Sequence, residues 1–129
     1  MEFTGPLLYM VLLGFGATIT PETGLTGSLL ALVPQPVTEY SHAPAYALLT
    51  WLLTGSLKER GWPQRTALCI GAVSAMVFGV WMELLQAFVP GRDVSLGDVA
   101  SNAIGIGLAS LVIGCTPTRV NRLLSLRLR

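Results

Sequence analysis

The chain has 129 residues, 52% of them hydrophobic and 12% charged, with a mean hydropathy of +0.63. Soluble domains carry about 25% charged residues, and a core of this size does not hide so much apolar surface. The balance excludes disorder, a nucleic-acid binder and an ordinary cytosolic enzyme, and it points to one integral membrane domain over residues 1–129; the net charge of +1 says nothing about partners.

A helix that crosses hydrocarbon needs about 17–25 largely apolar residues. Four segments are expected to do so: 3–19, 41–57, 66–89 and 96–115. The first is broken only by Thr4, Pro6 and small residues. Its one early charged side chain is Glu2, so it lacks the positive leader of a signal peptide and is expected to be retained. Residues 20–40 follow, with a short apolar run from Leu25 to Val33 that Pro34 and Pro36 end. That piece is expected to lie at the interface or to re-enter.

The second span is expected to start with Ser41 as cap and Pro44 in the first turn, where a missing N–H is harmless. Thr50 and Thr54 are expected to bond carbonyls of the preceding turn. The third span carries Gly71, Ala75 and Gly79 at steps of four, leading to Glu83. Small residues at that spacing let another helix come close. Pro90-Gly91 ends it. The fourth opens with Ser95 as N-cap and Asp98 three residues later, a capping-box pattern with Asp in place of Glu or Gln. Asn102, Gly105 and Ala109 continue the face of Asp98.

Seven of the eight basic residues fall on one side of such a bundle. Lys58, Arg60 and Arg65 join spans two and three; Arg119, Arg122, Arg127 and Arg129 lie in the tail, 116–129; Arg92 stands alone on the other side. Basic loops stay cytoplasmic, so the expected fold is an all-α, integral membrane four-helix bundle with both termini cytoplasmic. Cys69 and Cys115 fall near the cytoplasmic ends, where thiols stay reduced. The basic tail reads as a flank that touches anionic headgroups.

An ionisable group inside a span costs roughly 2.5–3.5 kcal/mol on insertion scales, and such groups face the bundle and find partners. His42, Tyr46, Glu83, Gln86, Arg92, Asp98 and Asn102 all fall near the outer ends of three spans. One reading is a hydrogen-bonded network that ties the helices, with Glu83 paired to Arg92 or His42 and Asp98 acting as a cap. The other is a ligand site, with Arg92 gripping a phosphate or carboxylate and Glu83, Asp98 and Asn102 orienting it. No nucleophile with an adjacent base is visible, so no catalytic residue is assigned. The spacing suits no metal, and no cofactor is expected.

Glu83, Gln86, Pro90-Gly91-Arg92, Ser95, Asp98, Asn102 and Gly105 together resemble the signature of the VanZ-like family: Glu and Gln ending one span, a Pro-Gly-Arg turn, then Ser, Asp and Asn opening the next. His42 and Tyr46 resemble its second motif, a His and Tyr four apart. Thr38 and Glu39 stand where that family has an Asp-Lys pair. The resemblance implies a multi-pass protein of the bacterial cytoplasmic (inner) membrane, part of the cell envelope and linked by family label to resistance to the glycopeptide teicoplanin. The expected partners are membrane lipids, a lipid-linked envelope precursor or a lipoglycopeptide, bound by headgroup at the outer polar site. An accessory structural subunit of a larger membrane complex and an enzyme that modifies lipid headgroups are the alternatives.

Overall fold

A computed structural model describes residues 3–18, 35–89 and 95–116. They form four α-helices and, among the described residues, no strand: α1 (Thr4–Thr18), α2 (Gln35–Glu59), α3 (Gln64–Gln86) and α4 (Leu96–Cys115). By length and composition two of these, α3 and α4, are able to cross a membrane. The shorter apolar helix α1 has 15 residues.

The end of α2 is set by local chemistry. Gly61 adopts φ +86°, the left-handed region open to glycine. The Trp62 N–H donates to the Leu57 carbonyl at 3.2 Å and the Gly61 N–H to that of Lys58 at 3.0 Å. This pair of bonds is the Schellman motif, which satisfies the last carbonyls of a helix. Pro63 follows, and α3 begins at once. At α4 the Ser95 hydroxyl accepts from the Asp98 N–H at 3.4 Å, as the cap pattern predicts.

The start of α2 differs from expectation. The apolar run is interrupted at Thr38 and Glu39, which moved the predicted boundary to Ser41. The backbone is helical from Gln35, with Pro36 in the first turn, where its lack of an N–H is tolerated. Ser41 is therefore not a cap. Pro44 lies inside the helix, where it has no N–H to give the Tyr40 carbonyl. The third helix stops at Gln86 rather than 89, its last turn closing through Phe88 N–H to Leu85 O at 3.1 Å and Val89 N–H to Gln86 O at 3.0 Å. The interfacial run 25–33, the 90–94 turn with Arg92, and the basic tail beyond 116 lie outside the described residues.

Helix α2 is central. It packs most extensively on α4 and then on α3, while α1 lies at the edge against α2 and α3. The core is Tyr46, Leu49 and Leu53 of α2 with Ala75 of α3 and Ile106 of α4. Full burial of a leucine such as Leu49 stabilises by about 1.5–3 kcal/mol. The edge helix is tied by the Tyr9 hydroxyl, which donates to the Ala45 carbonyl at 3.2 Å. Arg60 also sits over the Phe3 ring, 4.1 Å from its centre.

Glycines set the spacing between helices. A Cβ on Gly71 would stand 2.6 Å from Thr54 Oγ1, and one on Gly79 would stand 3.0 Å from both Asn102 Nδ2 and the Tyr46 ring. At Gly105 an added Cβ would overlap the backbone carbonyl of Ala43, with the carbonyl carbon at 2.7 Å. These contacts bring α2, α3 and α4 closer than side chains would otherwise allow. Thr50 Oγ1 donates to the Tyr46 carbonyl at 2.8 Å, the bond expected of it. Thr54 Oγ1, pressed against Gly71, has no such bond.

Candidate functional site

Steps of four carry one face of each helix through the bundle in register. On α2 the steps are His42, Tyr46, Thr50 and Thr54; on α3, taken backwards, Glu83, Gly79, Ala75 and Gly71; on α4, Asp98 and Asn102, then Ile106. Contacts link the layers across helices, Gly79 meeting Tyr46 and Asn102, and Gly71 meeting Thr54. The same register brings the start of α3 to the end of α4. There Gln64 Nε2 donates to the carbonyls of Ile113 at 2.7 Å and Thr116 at 3.1 Å.

The layer at the other end is polar. A ligand-capable nitrogen of His42 and one carboxylate oxygen each from Glu83 and Asp98 lie within 4.8 Å of one another. His42 Nδ1 faces Asp98 Oδ1 at 3.8 Å, a contact between α2 and α4. The sequence also offers Arg92 or His42 as a partner for Glu83, and Arg92 lies outside the described residues. Glu83 is 3% exposed, turned into the bundle from the last turns of α3. The side chains of His42 and Asp98 keep 23% and 17% of their surface exposed, so they are only partly buried.

One layer deeper lies Asn102, 1% exposed, its amide against Gly79 and beside Tyr46. Neither Nδ2 nor Oδ1 of Asn102 has a hydrogen bond, and His42 Nδ1 is shut off from solvent without one. Gln86 is buried one turn beyond Glu83 and ends α3. Of the seven predicted site residues, His42, Glu83 and Asp98 thus converge, Tyr46 and Asn102 floor them, Gln86 borders them, and Arg92 lies outside the described residues.

Among the described residues, the basic side chains Lys58, Arg60 and Arg65 all sit at or beside the α2–α3 turn, at the opposite end of the bundle. An open groove of about 450 Å³ also lies at that far end, lined by Trp51, Thr54, Gly55, Lys58, Ile113 and Thr116 among others. It does not reach the polar layer.

Residues 37–114 match the family model DUF2279, described as a predicted periplasmic lipoprotein. The chain belongs to this family. The matched segment runs from the first turn of α2 to the last turn of α4 and so contains the whole described cluster. No curated protein and no solved structure matches the chain.

Membership in DUF2279 overturns the VanZ-like resemblance, and with it the teicoplanin-resistance function and the headgroup-binding role drawn from it. The reason for the misreading is physical. A helix end, a Pro-Gly turn, a capping Ser and Asp and a following small-residue face are what any two closely packed helices with a short connection require. The motif reported geometry shared by many proteins. The expected placement as a multi-pass protein of the bacterial inner membrane falls with it: the family is described as periplasmic, and two helices rather than four have the length and hydropathy to span.

Sequence reasoning also dismissed metal chemistry, because His42, Glu83 and Asp98 show no local ligand spacing. They come together only through the register of three helices, which no short motif records. It missed Gln64 as well; a lone glutamine after Pro63 carries no sign that α4 ends beside it.

Proposed function

We propose that this is an envelope protein on the periplasmic side, with its helices seated against lipid, that captures a cationic ligand between α2, α3 and α4. His42, Glu83 and Asp98 hold the ligand; Tyr46, Gln86 and Asn102 form the polar wall behind it. The observation that carries this reading is the convergence of two carboxylates and one imidazole from three helices within 4.8 Å. Two like charges at that separation repel by about 3 kcal/mol at an effective dielectric near 20. A bound cation lowers that repulsion, and an anionic headgroup would add to it.

The outer surface supports the lipid setting. Leu8, Val11 and Phe15 of α1, Val77 and Trp81 of α3, and Leu111 of α4 are all more than half exposed. Only 28% of the most apolar stretch of α3, and of α4, is buried inside the protein. A soluble core helix is mostly buried, and large exposed apolar patches mark contact with lipid or a partner. In this reading the apolar faces rest against lipid, and the periplasmic side is taken from the family description.

The test is thermal unfolding of purified protein in mild detergent with magnesium, calcium, zinc or spermidine added at matched ionic strength. A ligand at about a hundred times its Kd stabilises by about 2.7 kcal/mol. At least one cation is expected to raise the unfolding temperature of the wild type and to leave Asp98→Asn and Glu83→Gln unmoved. No response to any cation, or the same response in the variants, overturns the proposal.

A further inference from the structure

We infer that the cation is a divalent transition-metal ion of the zinc type, held by His42 Nδ1 and one carboxylate oxygen each from Glu83 and Asp98. The inference rests on the cation-binding reading above and adds the identity of the ion.

The donor set selects it. Calcium takes six to eight oxygen ligands and magnesium keeps an octahedral shell rich in water. An imidazole nitrogen with two carboxylates suits zinc and its neighbours, and three protein ligands leave the fourth tetrahedral position for water. The three ligand atoms lie within 4.8 Å of one another, so a bound ion would draw them closer. Bonds of about 2.0–2.1 Å at tetrahedral angles put ligand atoms roughly 3.3–3.4 Å apart. His42 Nδ1 and Asp98 Oδ1 stand 3.8 Å apart, too far for a hydrogen bond and about half an ångström from metal-bridged spacing.

Two further observations point the same way. His42 Nδ1 is closed to solvent yet has no hydrogen bond, although buried polar atoms in native proteins nearly always find a partner. A metal ion would satisfy this nitrogen. Asn102 is 1% exposed with both amide atoms unbonded. It lies one turn beneath Asp98 on α4, beside Gly79, which is one turn beneath Glu83 on α3.

The experiment is calorimetric titration of zinc into untagged full-length protein, stripped with chelator. It uses a Cys69→Ser/Cys115→Ser background, because both thiols are exposed and would bind zinc on their own. One zinc per chain is expected, at least tenfold weaker in His42→Gln and in Asp98→Asn at unchanged helicity. Cobalt should give the visible absorption of a four-coordinate nitrogen–oxygen site. If the variants lose helicity, the cobalt spectrum of the unsubstituted site decides: no four-coordinate band overturns the inference. Zinc binding that is absent, or equal in wild type and folded variants, also overturns it. Binding of calcium or spermidine without zinc defeats the metal assignment and leaves the cation reading standing; binding of no cation defeats both.

Discussion

Gly105→Ala is the sharpest test of how the site is held. The new Cβ would overlap the Ala43 carbonyl oxygen, with the carbonyl carbon at 2.7 Å and the Cα at 2.9 Å. Ordinary contact begins near 3.4 Å, so α2 and α4 must part by about 0.7 Å to relieve the carbon alone, and by more for the oxygen. The obstacle is backbone on both sides, so no rotamer change relieves it. Overpacking of this kind costs about 1–3 kcal/mol, against a gain of about 1 kcal/mol for replacing glycine by alanine in a helix. The net expectation is destabilisation by up to about 2 kcal/mol. Gly107, two residues on in the same helix, has nothing within 4 Å of an added Cβ. Gly107→Ala should keep the propensity gain and stabilise by up to about 1 kcal/mol. Unfolding of both variants in the same detergent, followed by circular dichroism, reads the difference. If Gly105→Ala is as stable as Gly107→Ala, α2 and α4 do not meet at Ala43, and the register that brings His42 to Asp98 is wrong.

Two other outcomes follow from the packing. Leu49 is fully buried and its neighbour Leu48 is 46% exposed, so Leu49→Ala should cost about 2–5 kcal/mol and Leu48→Ala clearly less, about 1 kcal/mol or under; equal costs would contradict the orientation of α2. Gln64→Ala removes two hydrogen bonds to the end of α4, each worth about 0.5–1.5 kcal/mol net. Amide hydrogen exchange should quicken in the last turn of α4 and not near Ser95, and uniform exchange along α4 would refute a local latch.

What the sequence reveals of this fold is what local chemistry decides. The start of α4 is legible because Ser95 and Asp98 cap a helix through atoms three residues apart. The packing faces of α3 and α4 are legible because glycine and alanine recur at helical steps. His42, Glu83 and Asp98 stand out because charged groups are costly among apolar neighbours. The start of α2 is less legible, since Glu39 interrupts hydropathy without interrupting the helix. The pairing of His42 with Asp98, the latch of Gln64 and the metal-compatible geometry are not local properties. They depend on how far three helices slide along one another, and that distance is set by where glycines let backbones touch.

The glycine contacts and the polar layer are best understood as one device. His and Asp have short side chains, and from helices at ordinary spacing they reach poorly across a three-helix interface. Close approach at Gly105 and Gly79 lets them meet Glu83 within 4.8 Å. It also brings two carboxylates together at that end of the bundle. A network that served packing alone would be better made from amides, which carry no mutual repulsion; removing buried charges often leaves stability unchanged or raises it. A cation held between them would lower the repulsion that two carboxylates at that separation carry. The measured stability of Glu83→Gln and Asp98→Asn therefore has meaning only as a pair of numbers, with and without a cation. A site built for packing shifts both by the same amount, whereas a site built for a ligand shifts them apart.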